Sequence, residues 1–82
     1  MKIYNFSAGP ACLPDSVLEA SSRATLNYKE TGVSLMEMSH RSSEVMELFS
    51  NSTKRVKRIL DVPSNYHVLW LQGGASTQFS MA

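Results

Sequence analysis

His67-Val68-Leu69-Trp70-Leu71-Gln72-Gly73-Gly74-Ala75-Ser76-Thr77 is the stretch on which the reading of this chain turns. After its histidine, His67–Leu71 is apolar without a break, the pattern of a strand covered on both faces in a mostly parallel sheet. Two glycines then turn the chain into a helical stretch, Ser76 to Ala82 (STQFSMA). A buried strand that passes through two glycines into a helix frees the backbone N–H groups of the first turn. They then lie at the carboxyl end of a sheet, where open α/β folds bind ligands. Ser76 and Thr77 add hydroxyl donors, and the combination suits a phosphate group. The same residues also serve as a plain tight turn, with Ser76 as the helix cap. Neither the Walker spacing GxxxxGKS/T nor the dinucleotide pattern GxGxxG is present. A hydrolase nucleophile elbow is set aside too, because Gly74-Ala75-Ser76-Thr77-Gln78 lacks the second glycine.

Such a strand needs neighbours, since an unpaired central strand leaves its donors and acceptors unsatisfied. The sequence holds no second strand of that quality, and its 82 residues are about half of a typical single-domain length. The expectation is an α/β protein of which this chain is the beginning, ending just after its first sheet strand. Upstream, Val45, Leu48, Phe49, Ser52, Val56, Ile59 and Leu60 recur at helical steps, opposite Glu44, Glu47, Asn51, Lys54, Arg55, Lys57 and Arg58. Acids at its start and bases at its end suit the helix dipole, and Ser42 or Ser43 can cap it. Asp61, Pro63, Ser64 and Asn65 break it. An earlier helix starts at Pro14 or at a Ser16-x-x-Glu19 capping box, carries the stripe Leu13, Val17, Ala20, Ala24 and Tyr28, and ends at Gly32. Between the two helices, Val33 to Met38 reads as a brief extended segment or as buried connecting chain. Residues 1–12, rich in turn formers, form an arm, and residues 13–82 form the start of a larger domain.

Composition narrows the function. With 43% hydrophobic and 18% charged residues the chain is no disordered tail, and a net charge of +1 argues against a nucleic-acid or membrane-surface protein. The basic run Lys54–Arg58 has no interleaved aromatic residues and reads as a solvated helix face. Met36, Met38 and Met46 read as core filler. The lone Cys12 has no partner for a disulfide, which fits a reducing, cytoplasmic setting. His40, His67 and Cys12 are too widely spaced for a compact metal site, so none is expected. No apolar run is long enough to span a bilayer or to form a signal-peptide core. A second place for chemistry is Met38-Ser39-His40-Arg41-Ser42, where Arg41 can clamp a carboxylate or phosphate and His40 can add a donor or a titrating group. On spacing alone, the pair also reads as ordinary surface residues.

Three blocks in order, Asn5-Phe6-Ser7-Ala8-Gly9-Pro10-Ala11, Met36-Glu37-Met38-Ser39-His40-Arg41-Ser42 and Leu71-Gln72-Gly73-Gly74-Ala75-Ser76-x-Gln78-Phe79, closely resemble the phosphoserine aminotransferase family. Leu13-Pro14 and Val62-Pro63-x-Asn65-Tyr66 extend the likeness through nearly the whole chain. The resemblance implies an N-terminal fragment of a fold type I, class V transferase dependent on pyridoxal phosphate: an arm, two helices, one buried strand and a Gly-Gly turn into a helix. Residues 13–82 would begin its large cofactor-binding domain. Family members are homodimers of roughly four times this length that exchange an amino group between glutamate and 3-phosphohydroxypyruvate, giving phosphoserine and 2-oxoglutarate in serine biosynthesis. Some bacterial members also serve vitamin B6 (pyridoxine) synthesis.

The resemblance implies that Gly74, Ala75 and Ser76 hold the cofactor phosphate and that Arg41, with His40 beside it, holds the substrate carboxylate. It also places Ser7 and Gly9 near the active site. The position of Ser76 is Arg or Cys in some members, so only the phosphate role carries over to it. The Schiff-base lysine, the acid that pairs with the pyridine nitrogen and the aromatic residue that stacks on the ring all lie beyond residue 82 in the family. Lys2, Lys29, Lys54 and Lys57 match none of these places, so this segment contains no catalytic residue and is expected to be inactive alone. The reading from a different class is a stand-alone small α/β module that binds a phosphorylated metabolite without catalysis.

Overall fold

Pro14 fixes where the first helix begins. Its ring presets the backbone at φ −58°, and its carbonyl accepts from the N–H groups of Val17 (3.0 Å) and Leu18 (3.2 Å), so α1 runs Asp15–Leu26. Of the two starts open to the sequence, the proline is used and the Ser16–Glu19 box is not. The computed structural model describes residues 1–82 and divides into two compact units, Met1–Val45 and Met46–Ala82. No helix in it is long and apolar enough to cross a membrane.

In the first unit α1 ends well before Gly32, because Asn27 is extended (φ −162°, ψ 99°) and its side-chain oxygen accepts from the Gly32 N–H at 2.8 Å. The chain folds back between them: the Tyr28 N–H donates to the Val33 carbonyl at 2.9 Å, and Lys29 and Glu30 take positive φ in a short 3-10 turn, Tyr28–Glu30. Tyr28, the last member of the predicted stripe, is the one that becomes buried. Val33–Met38 is neither of the two forms expected of it. Leu35–Glu37 is a second 3-10 turn, closed by a reciprocal capping box in which Ser34 Oγ accepts from the Met36 N–H (3.1 Å) and Glu37 Oε1 accepts from the Ser34 N–H (3.0 Å). A box of this kind contributes about 1 kcal/mol. Both turns pack on α1.

The long amphipathic helix forms as predicted. α2 runs Ser43–Ile59, with Glu44 in its first turn and Lys57 and Arg58 in its last. Its start is capped by Ser42, whose Oγ accepts from the Val45 N–H at 3.4 Å. Its end is a Schellman motif: Asp61 is left-handed (φ 50°), the Val62 N–H reaches the Lys57 carbonyl at 2.9 Å, and the Asp61 N–H reaches Arg58 at 3.4 Å. In the second unit Trp70 meets this helix. Its ring stands edge-on to Phe49 at 6.3 Å and its Nε1–H donates to Thr53 Oγ1 at 2.8 Å.

The buried strand expected at His67–Leu71 is not formed. The structure contains no strand, no backbone hydrogen bond joins residues 67–73 to the chain, and Leu69 is 73% exposed. The physical reason is the one visible in the sequence: a ladder needs a neighbouring strand, and these 82 residues supply none. Tyr28 and Val45 are the only buried apolar residues. The chain exposes 7419 Å², against roughly 4,900 Å² for a folded monomer of 9.1 kDa. The last element, α3, is the seven-residue helix Ala75–Met81.

Candidate functional site

The sequence-predicted site residues fall into two turns, one in each unit. In the first unit, Ser39–Ser42 is a tight turn with His40 and Arg41 at its two central positions. The Ser42 N–H (3.0 Å) and Ser42 Oγ–H (2.8 Å) both donate to the Ser39 carbonyl, and the Arg41 N–H donates to Ser39 Oγ at 3.1 Å. Its backbone is therefore fixed by its own two serines. His40 and Arg41 are exposed, and neither side chain is hydrogen-bonded or ion-paired within the chain. An unpaired guanidinium on a fixed turn can take a carboxylate or phosphate through two parallel N–H donors. The sequence marks the His-Arg pair and offers Ser42 as a helix cap; the closing of the turn by both serines is signalled only by the Ser-His-Arg-Ser pattern, which favours side-chain-closed turns.

In the second unit, Gly74 is the N-cap of α3 (φ −99°, ψ −167°), and the first helical bond runs from the Gln78 N–H to the Gly74 carbonyl at 3.1 Å. The N–H groups of Ala75, Ser76 and Thr77 precede that bond and find no partner in the chain. No side chain caps the helix, so Ser76 is not the cap that the plainer reading made it. Its hydroxyl stands exposed in the first turn, beside those N–H groups. The turn depends on Gly73, which the sequence did not single out as a site residue. Its φ of +104° is left-handed territory, and a Cβ there would lie 2.9 Å from Thr77 Cβ and 3.1 Å from Thr77 Oγ1. Any side chain at 73 strains the backbone and meets the first turn of α3.

The arm, in the first unit, is a closed loop. The Cys12 N–H donates to the Asn5 carbonyl at 2.8 Å, while Asn5 Oδ1 accepts from both the N–H (3.1 Å) and the Oγ–H (2.7 Å) of Ser7. Lys2 ties its start to α1 through the Leu13 carbonyl (3.1 Å) and the Asp15 carboxylate. The hydrogen bond to Asp15 raises the Lys2 amine above its ordinary value. Ser7 lies inside this loop, and Gly9 sits at its tip with φ +149°. Open cavities of about 320 Å³ beside Arg23, Asn27 and Tyr28 and of about 180 Å³ beside Leu48, Phe49 and Trp70 lie on the two units. Neither includes a predicted site residue. No three His, Cys, Asp or Glu side chains cluster as metal ligands.

Comparison with known proteins adds what these turns leave open. The family model described as aminotransferase class-V matches residues 3–82. Phosphoserine aminotransferase from Desulfotalea psychrophila is 54% identical over 80 residues, 98% of this chain and 22% of that protein. The enzyme of the same name from Geobacillus kaustophilus is 51% identical over 80 residues, again 98% and 22%. Among solved structures, a PLP-bound phosphoserine aminotransferase from Trichomonas vaginalis superposes with a TM-score of 0.89 at 43% identity, covering 96% of this chain and 23% of that one. The phosphoserine aminotransferase of Bacillus circulans subsp. alkalophilus gives 0.89 at 46% identity, covering 98% and 22%. The chain thus spans less than a quarter of the length of the relatives it matches.

Proposed function

This chain belongs to the class-V aminotransferase family, and from that premise we propose that it is the amino-terminal part of a phosphoserine aminotransferase. The observation that carries the proposal is identity above 50% to proteins of that name over 98% of the chain. The complete protein exchanges an amino group between glutamate and 3-phosphohydroxypyruvate, giving 2-oxoglutarate and phosphoserine. It uses pyridoxal phosphate and works as a cytoplasmic homodimer. In it, His67–Leu71 pairs as an inner strand of the large domain's sheet, which accounts for a run so apolar that is left uncovered here.

The two turns then have separate tasks. Gly74, Ala75 and Ser76 hold the cofactor phosphate through main-chain N–H groups and the Ser76 hydroxyl. Three N–H groups without partners at a helix start suit the charge of a phosphate, and this is what supports the assignment. Bound pyridoxal phosphate supplies a ring that stores the electrons released when the substrate α-proton is removed. Arg41 binds the substrate carboxylate and fixes which face of the substrate is presented, and His40 adds a donor beside it. Ser7 and Gly9 line the site from the arm. The covalent lysine, the acid and the stacking aromatic lie outside this chain, so the 82 residues alone do not transfer amino groups.

A stand-alone module that binds a phosphorylated metabolite is not favoured. The family match extends over residues 3–82, and two buried apolar side chains do not make a separate core. The test is an assay of the complete protein with phosphoserine and 2-oxoglutarate. Glutamate formation that depends on added pyridoxal phosphate is expected, whereas cofactor-dependent transfer from other amino acids but not from phosphoserine would overturn the substrate assignment.

A further inference from the structure

We propose that Ser39 and Ser42 are positioning residues for the Arg41 clamp, a role that rests on the reading of Arg41 as the group that binds the substrate carboxylate. The guanidinium sits at the end of a long, flexible side chain with no partner in the chain, so the direction from which it approaches a ligand is set at its Cα. That Cα is fixed by hydroxyls. Ser39 Oγ accepts from the Arg41 N–H itself (3.1 Å), and Ser42 Oγ bridges two elements, donating to the Ser39 carbonyl (2.8 Å) and accepting from the Val45 N–H in the first turn of α2 (3.4 Å). The turn is thereby tied to a seventeen-residue helix, and both serines act on substrate only through Arg41. Ser39 is exposed and none of its bonds reaches the buried residues Tyr28 or Val45, so truncating its hydroxyl removes one bond to the arginine backbone and leaves the packing in place.

Loss of one such bond in a preformed binding turn weakens binding about three- to tenfold. In the complete holoenzyme, Ser39→Ala is expected to raise the KM for phosphoserine and for glutamate by that factor, with kcat and pyridoxal phosphate retention unchanged. Ser42→Ala is expected to do the same, and Ser42→Thr, which keeps the hydroxyl, to restore the KM. In an Arg41→Ala background, Ser39→Ala is expected to add nothing, because the group it positions is gone. If Arg41→Ala raises the KM and Ser39→Ala does not, or if the two effects multiply, the serines do not act through Arg41 and the proposal falls alone. If Arg41→Ala itself leaves the KM unchanged, the clamp reading falls and takes this one with it.

Discussion

Ser39–Ser42 and Gly73–Gly74 are both short turns that lead into helices, and they are built in opposite ways. The first is closed by one backbone hydrogen bond and three that use the hydroxyls of its own serines. The second is shaped by what is missing from it: a side chain at 73, a hydroxyl cap at 74 and a ladder under the chain that precedes it. A turn closed by its own hydroxyls is complete wherever the chain is placed. The turn that carries Arg41 is thus held by bonds within this chain, while the chain that leads into the Gly73–Gly74 turn has no ladder beside it.

This difference can be broken by substitution in the complete protein. Arg41→Ala is expected to raise the KM for phosphoserine by on the order of a hundredfold, the effect of losing charge-assisted bonds, with pyridoxal phosphate retention unchanged. Steady-state kinetics beside a cofactor absorbance titration reads both quantities. Gly73→Ala should show the reverse, weakening cofactor retention by on the order of tenfold through its left-handed φ and the 2.9 Å approach to Thr77. If either variant moved both quantities equally, the two turns would not have separate tasks.

Two smaller effects sharpen the comparison. Trp70→Ala removes the edge-on contact with Phe49 and the hydrogen bond to Thr53. In thermal or denaturant unfolding it should cost about 1–2 kcal/mol, less than a fully buried tryptophan, because Trp70 is 51% exposed. At the arm, the Lys2 amine is raised by its bond to Asp15. A group raised on folding stabilises fully below its unfolded value and loses that contribution as pH climbs through the folded one. Lys2→Met should therefore make no difference to the pH dependence of stability near neutrality and should flatten it only in the alkaline range, which a pH series of melting curves checks.

Much of this was legible in the sequence, because the strongest signals are local. The stripe from Val45 to Leu60 alone specified α2, Asp61 and Pro63 marked its end, and Pro14 marked the start of α1. The family likeness was carried by three blocks in order, Asn5–Ala11, Met36–Ser42 and Leu71–Phe79. What was not legible depended on bonds that periodicity does not record. The apolar stripe ran on to Tyr28 straight through Asn27, whose side chain ends the helix by reaching Gly32. Ser34-x-x-Glu37 carried a capping-box spacing, but the apolar residues around it read as an extended segment or buried connecting chain. His67–Leu71 has the composition of an inner strand, and composition does not provide a neighbour. The need for glycine at 73 arises from Thr77 folding back in the next turn, a contact visible only in three dimensions.

In the proposed complete protein, residues 67–71 pair as a strand and Gly74, Ala75 and Ser76 hold the cofactor phosphate. Amide hydrogen exchange on that protein, with and without pyridoxal phosphate, tests it most directly. Slow exchange is expected at Val68–Leu71 in both states, with further slowing at Ala75 and Ser76 on adding the cofactor while Arg41 and Ser42 stay unchanged. Fast exchange at Val68–Leu71, or cofactor addition that leaves Ala75 and Ser76 unmoved, would contradict it.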